Sequence, residues 1–162
     1  YFIVAKAPET AKLIDLARTI NTSMPHYVVE NINHLMEQAQ GKVVTLFGLT
    51  YKGNVDDIRE SPAMEIYDLL LNENRYEVKA FDSHVEGDIV YADMEQAVDQ
   101  SDLIVVLTDH DEYKNIDFSK LSNMATKRIF DTKNIVGNNS DDFEYINFGN
   151  LYEYTKKSLA LI

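Results

Sequence analysis

Apolar side chains at Leu13, Ala17, Ile20, Met24, Val28, Ile32, Leu35 and Ala39 recur at steps of three and four residues, the spacing that lays one stripe along a helix. Pro8 precedes the stripe at a place where a first helical turn tolerates a missing amide. At about 1.5 Å per residue such a helix exceeds roughly 40 Å. Pro25 removes one backbone donor and crowds the carbonyl of Asn21, which predicts a kink or break near Asn21 to Met24 and hence one bent helix or a pair.

From Lys42 the pattern changes to short β-rich runs alternating with helical ones. Val43 to Phe47, Glu77 to Phe81, Leu103 to Leu107, Lys127 to Phe130 and Tyr145 to Phe148 read as strands. Between them, Ser61 and Pro62 open a helix as N-cap and first residue, with Glu65 near its positive end, and a short helix covers Met94 to Asp99. The unbroken apolar run at Leu103 to Leu107 predicts burial on both faces. The fold class is therefore α/β: a Rossmann-like parallel sheet flanked by helices, preceded by the long helix or helix pair. The division falls at residues 1–40 and 41–162. Ligands of such sheets sit beyond the carboxyl ends of the strands, which singles out the loops after Phe47, Phe81, Leu107 and Phe130.

Composition narrows the partners. With 15 basic against 27 acidic residues the formal net charge is -12, which argues against nonspecific nucleic-acid or anionic-membrane binding and requires any anionic ligand to meet locally clustered cations. The chain contains no cysteine, so thiolate chemistry and disulfides are excluded within it. No apolar run approaches the roughly 18 residues of a membrane span. The start at Tyr1-Phe2-Ile3-Val4, without Met or a signal-peptide plan, reads as that of a soluble, intracellular fragment beginning mid-protein.

The richest stretch runs from Gly48 through Leu49-Thr50-Tyr51-Lys52-Gly53 to Arg59-Glu60-Ser61-Pro62. Gly48 and Gly53 permit positive φ or close backbone approach, and the helix opening at Ser61 presents unpaired amides and a positive dipole end suited to phosphate. Lys52 and Arg59 add charge there. The spacing of the two glycines matches a phosphate P-loop, but Asn54 stands where Ser or Thr is needed, and the dinucleotide fingerprint GxGxxG is absent. A plainer reading pairs Lys52 and Arg59 with Asp56, Asp57 or Glu60 on a solvated loop.

The run Gly48-Leu-Thr-Tyr-Lys52, then Val55-x-Asp57-x-Arg59-x-Ser61-Pro62, resembles the signature of the UDP-glucose/UDP-N-acetylhexosamine dehydrogenase family. The resemblance extends over the chain: Tyr1-Phe2 is similar to residues just beyond that family's catalytic cysteine motif, and Ala17-Arg18-x-x-Asn21-x-Ser23-Met24-Pro25 to the end of its central helical domain. Asp57 to Ile66 and Thr108-Asp109-His110 resemble the UDP-N-acetylmannosamine dehydrogenase branch, with UDP-N-acetylglucosamine and UDP-glucose as alternative substrates.

The resemblance implies an NAD-dependent oxidoreductase that takes a sugar C6 alcohol to a carboxylate in two successive steps, its catalytic cysteine and main NAD domain lying upstream. No catalytic residue is then expected in this chain, which alone would be inactive and would serve to bind UDP-sugar. Tyr51 and Lys52 match the family's aromatic-lysine pair at the UDP-sugar, Lys133 stands where a basic residue, often arginine, contacts it, and Arg59 matches an arginine that reaches toward NAD. The implied setting is cytoplasmic, in surface-polysaccharide synthesis, as a homodimer through residues 1–40. A noncatalytic dimerisation module and an unrelated Rossmann-like nucleotide binder are the competing readings. His110 lies between Asp109 and Asp111 but lacks further spaced ligands, so no metal site is expected. Asp82 reads as turn or capping chemistry.

Overall fold

The computed structural model describes residues 11–138 and 140–155; Tyr1-Phe2 and Pro8, which entered the sequence reading, lie outside them. Helix α1 spans Lys12–Ala39 without interruption, Pro25 inside it. Of the two outcomes open from sequence, one helix or a pair, a single helix forms. Pro25 costs the ladder a single donor, while the turns that follow bury Val28, Val29, Ile32, Leu35 and Met36, and tertiary packing of this kind outweighs a local loss of helix propensity. The helix stops where Gln40 turns left-handed at φ 51 and its amide bonds Glu37.

Five strands follow, β1 (Val43–Phe47), β2 (Glu77–Phe81), β3 (Leu103–Val106), β4 (Arg128–Asp131) and β5 (Glu144–Asn147), all parallel in the order β2-β1-β3-β4-β5. Helix α2 (Pro62–Glu73) connects β1 to β2, α3 (Met94–Val98) leads to β3, two 3-10 turns at Asp111–Asn115 and Phe118–Leu121 lead toward β4, and α4 (Leu151–Thr155) follows β5. The parallel sheet and its flanking helices agree with the reading from sequence, strand ends differing by a residue. Neither 3-10 turn carried a periodicity that announced it.

Alternation across β3 explains its unbroken apolar run. Leu103 and Val105 join Val44, Leu46, Phe130, α1 and α2 on one face, while Ile104 and Val106 join Phe47, Ala97, Val98, Tyr113 and Leu121 on the other. A polar pair sits inside the second layer: Thr45 Oγ1 donates to the Ala97 carbonyl at 3.0 Å and lies 2.5 Å from Ser101 Oγ. Since β1 pairs with β2 on one side and β3 on the other, the strand order reverses between β1 and β3, and the carboxyl end at such a reversal is the place where sheets of this order hold ligands.

Candidate functional site

The loop leaving β1 is fastened to the loops leaving β2 and β3. Gly48 adopts φ +87 and packs so closely that a Cβ there would sit 2.5 Å from Thr108 Cβ. At Gly53 an added Cβ would come within 2.3 Å of the Asp109 carbonyl oxygen, so both glycines serve close approach. Asp82, at the end of β2, is buried and accepts the Leu49 N–H at 2.7 Å, the Thr50 N–H at 3.3 Å and the His84 N–H at 2.9 Å.

His110 completes the junction. Its Nδ1 accepts the Asn54 N–H at 2.9 Å, so that nitrogen holds a lone pair and the proton resides on Nε2. Nε2 lies 3.1 Å from both Asp82 Oδ2 and Thr50 Oγ1. Burial alone would raise the Asp82 pKa; the His110 hydrogen bond and the Leu49 and His84 amides outweigh it and hold the carboxyl below its ordinary range. The His84 ring stacks on His110 with centroids 4.4 Å apart and planes 11° from parallel, and Glu112 stands 3.5 Å from His84 Nε2. His84, His110 and Glu112 are near enough to suggest a metal ion, yet imidazole lone pairs lie in the ring planes, and two stacked rings aim them along parallel planes rather than at a shared centre. Both His110 nitrogens are also spent on protein partners. This cluster is fitted to hold loops together.

A cleft of about 390 Å³ opens beside the junction, at the carboxyl end of the sheet. Asn21, Met24, Pro25 and Val28 of α1 form one wall, Pro62, Ala63 and Ile66 of α2 another, and Tyr51, Leu107, Thr132, Lys133 and Phe148 close it from the loops. Apolar walls with few polar groups suit a ligand whose orientation is set by those groups. Lys133 is positioned through Asp131, a buried carboxylate accepting the amides of Lys133, Ile135 and Val136 at 2.8 to 2.9 Å and the Tyr145 hydroxyl at 2.5 Å. Burial and that bond to Asp131 push the Tyr145 hydroxyl pKa well up.

Tyr51 and Lys133 therefore meet at one cleft. Lys52 lies next to it, exposed, and no carboxylate pairs with it among the described residues. Arg59 turns elsewhere, gripping Asp57 through Nε at 2.9 Å and Nη2 at 2.8 Å. That fork, with the Arg59 amide, holds the Asp57 carboxyl at about 2. Tyr51, Asp57, Arg59 and Glu60 share a separate open depression. The opening of α2 offers fewer amides than its sequence promised: Pro62 has none, Ser61 Oγ takes that of Ala63 at 3.1 Å, and the Ser61 carbonyl takes that of Glu65. Sequence reasoning missed Asn21, Thr132 and Phe148 as cleft residues, because three separate elements bring them together.

This is a doubly wound α/β domain with a cleft at its switch-point end. A model of the UDP-glucose/GDP-mannose dehydrogenase family, UDP binding domain, matches residues 45–138, more than half of the sequence, and the chain belongs to that family. UDP-N-acetyl-D-mannosamine dehydrogenase of Methanocaldococcus jannaschii is 46% identical over 142 residues, 84% of this chain and 32% of that protein. Among solved structures, the UDP-N-acetyl-mannosamine dehydrogenase of Staphylococcus aureus aligns with a TM-score of 0.90 and 51% identity over 95% of this chain and 37% of that one. The corresponding enzyme of Pyrococcus horikoshii aligns at 0.79 and 32% identity, over 90% and 35%. The chain thus spans about a third of the length of these relatives.

Proposed function

We propose that this chain is the C-terminal, UDP-sugar-binding part of an NAD-dependent UDP-sugar 6-dehydrogenase. In the whole protein the reaction would be the conversion of UDP-N-acetylmannosamine to UDP-N-acetylmannosaminuronate by two successive oxidations at C6, in the cytoplasm. The observation that carries the reading is the cleft at the sheet's carboxyl end, where Tyr51 and Lys133 share apolar walls within a domain matched to UDP binding. The substrate choice leans on the names of the mannosamine-type relatives.

In this reading Tyr51 lies against the nucleotide sugar, while Lys133 and the unpaired Lys52 meet diphosphate charge in a protein that is otherwise strongly acidic. The described residues do not build an NAD site of their own. The glycine fingerprint is lacking, and Asp82, placed at the strand end where a ribose-binding acid would stand, is buried and occupied by Leu49, Thr50 and His110. The cofactor is assigned to the remainder of the protein, and Arg59, held outward on Asp57, is the group of this chain proposed to face it.

Calorimetric titration of UDP into the chain tests the reading. Saturable binding is expected, weakened about tenfold by Lys133→Ala and comparably by Lys52→Ala; absence of binding by a folded sample would sink it. The exposed apolar side chains Leu13, Ile14, Leu16 and Ile20 on α1 favour a homodimer through that segment. Equilibrium sedimentation checks this second reading, which a monomer at micromolar concentration rejects.

A further inference from the structure

Four consecutive residues beyond β3, Thr108-Asp109-His110-Asp111, each take hold of the loop after β1. Thr108 Oγ1 donates to the Thr50 carbonyl at 3.1 Å, and Asp109 Oδ1 accepts the Gly53 N–H at 2.9 Å. His110 Nδ1 accepts the Asn54 N–H, while Asp111 exchanges two bonds with the Asn54 side chain, at 3.0 and 3.1 Å. Tyr51 and Lys52 lie between these anchors with their side chains exposed. Asn54 itself is held left-handed at φ 60, a conformation that costs free energy in a non-glycine residue unless its surroundings fix it.

We infer that His110 is a positioning residue for the nucleotide sugar: through its Nδ1 lone pair it fixes Asn54 and so aims the Tyr51-Lys52 pair at the ligand. The inference rests on the proposed UDP-sugar site. The two ring nitrogens divide the labour. Nε2–H faces Asp82 and Thr50 and joins the bases of the loops, whereas Nδ1 serves the segment that carries Tyr51 and Lys52. Holding a contact pair ready before the ligand arrives removes an ordering cost from binding.

The division makes the inference testable by substitution. A His110→Asn side chain places a carbonyl oxygen near the Nδ1 position and can still receive the Asn54 amide; His110→Gln reaches toward the Nε2 position and leaves that amide without its acceptor. UDP affinity, measured by calorimetry beside urea midpoints for each protein, is expected to fall about tenfold in His110→Ala, to return within about threefold of the starting protein in His110→Asn, and to stay low in His110→Gln. Affinities that simply follow the rank of the urea midpoints, or Gln rescuing as well as Asn, would overturn the inference. Failure of the unsubstituted chain to bind UDP would instead remove the underlying site. Independent of any variant, long-range proton-nitrogen NMR spectra should show His110 as the Nε2–H tautomer; a proton on Nδ1 would overturn the role assigned to it.

Discussion

The two halves of α1 carry the same apolar period and end in different surroundings. From Lys12 to Ser23 every residue is exposed, Leu13 at 81% and Ile20 at 52%; beyond Pro25, Ile32 and Leu35 are at 0%. The buried half is also fastened by polar contacts. Arg128 Nη1 donates to the Leu35 carbonyl at 2.7 Å, and Asn33 donates to Glu73 on α2 at 2.9 Å. A cation near the carboxyl end of a helix also suits its dipole. An amphipathic stripe states that one face needs covering, and the comparison teaches that it leaves the cover unnamed. For the second half the cover is the sheet and α2; for the first, the proposed cover is a second copy of the chain.

The strongest way to break this comparison is to truncate equivalent side chains in the two halves. Leu35→Ala should cost about 3 kcal/mol in urea unfolding, since it opens a cavity in a close-packed layer, whereas Leu13→Ala should leave the midpoint in place. Equal losses would show that the halves are not energetically distinct. Next in size, Arg128→Met should cost about 2 kcal/mol. The buried guanidinium pairs with Glu144 and bonds the Leu35 carbonyl, and a thioether replaces neither contact. Its signature should be earlier fraying of the carboxyl end of α1, read as faster amide exchange from Leu35 onward, with exchange in the first half unchanged.

Acid is a gentler lever on the same contrast. Because the folded Asp82 pKa lies below its ordinary value, the stabilisation it contributes is fully present above about pH 4 and is lost as pH falls from there through the lowered folded value. Urea midpoints should decline over that window, less steeply in Asp82→Asn, and Ile20→Glu should leave the slope as it is. The smallest effect on stability belongs to Ile20→Glu itself, predicted to leave the denaturant midpoint of the dilute, monomeric protein unchanged while shifting sedimentation at higher concentration toward monomer. A dimer that survives this change would assign the exposed stripe some other cover.

Much of the frame was legible before any coordinates. Ser61 and Pro62 announced α2 because capping and a missing amide are local matters, and the apolar run of β3 announced burial on both faces because side chains alternate along a strand. The site was legible only in part. Tyr51 and Lys133 could be named from motif resemblance, and the glycines at 48 and 53 signalled that some part of the chain comes close. Nothing near them told that the neighbours are Thr108 and Asp109. His110 shows in the sequence only its flanking aspartates, which raise the question of a metal, because a backbone amide 56 residues away is not visible there. Arg59 shows the converse: its partner Asp57 is two residues distant, within reach of sequence reasoning, which held that pairing open.

The amino-acid order by itself determined where the five strands and the three helices preceding β1, β2 and β3 form, which faces are apolar, that the sheet is parallel, and which loops bear the cations, because these depend on propensity, period and caps acting over a few residues. Tertiary structure decided that α1 runs through Pro25, that only its second half is covered, and that three loops meet at Asp82 and His110. Those outcomes depend on which distant groups satisfy a buried donor, acceptor or apolar face, and many partners are compatible with the same local pattern until the chain is folded.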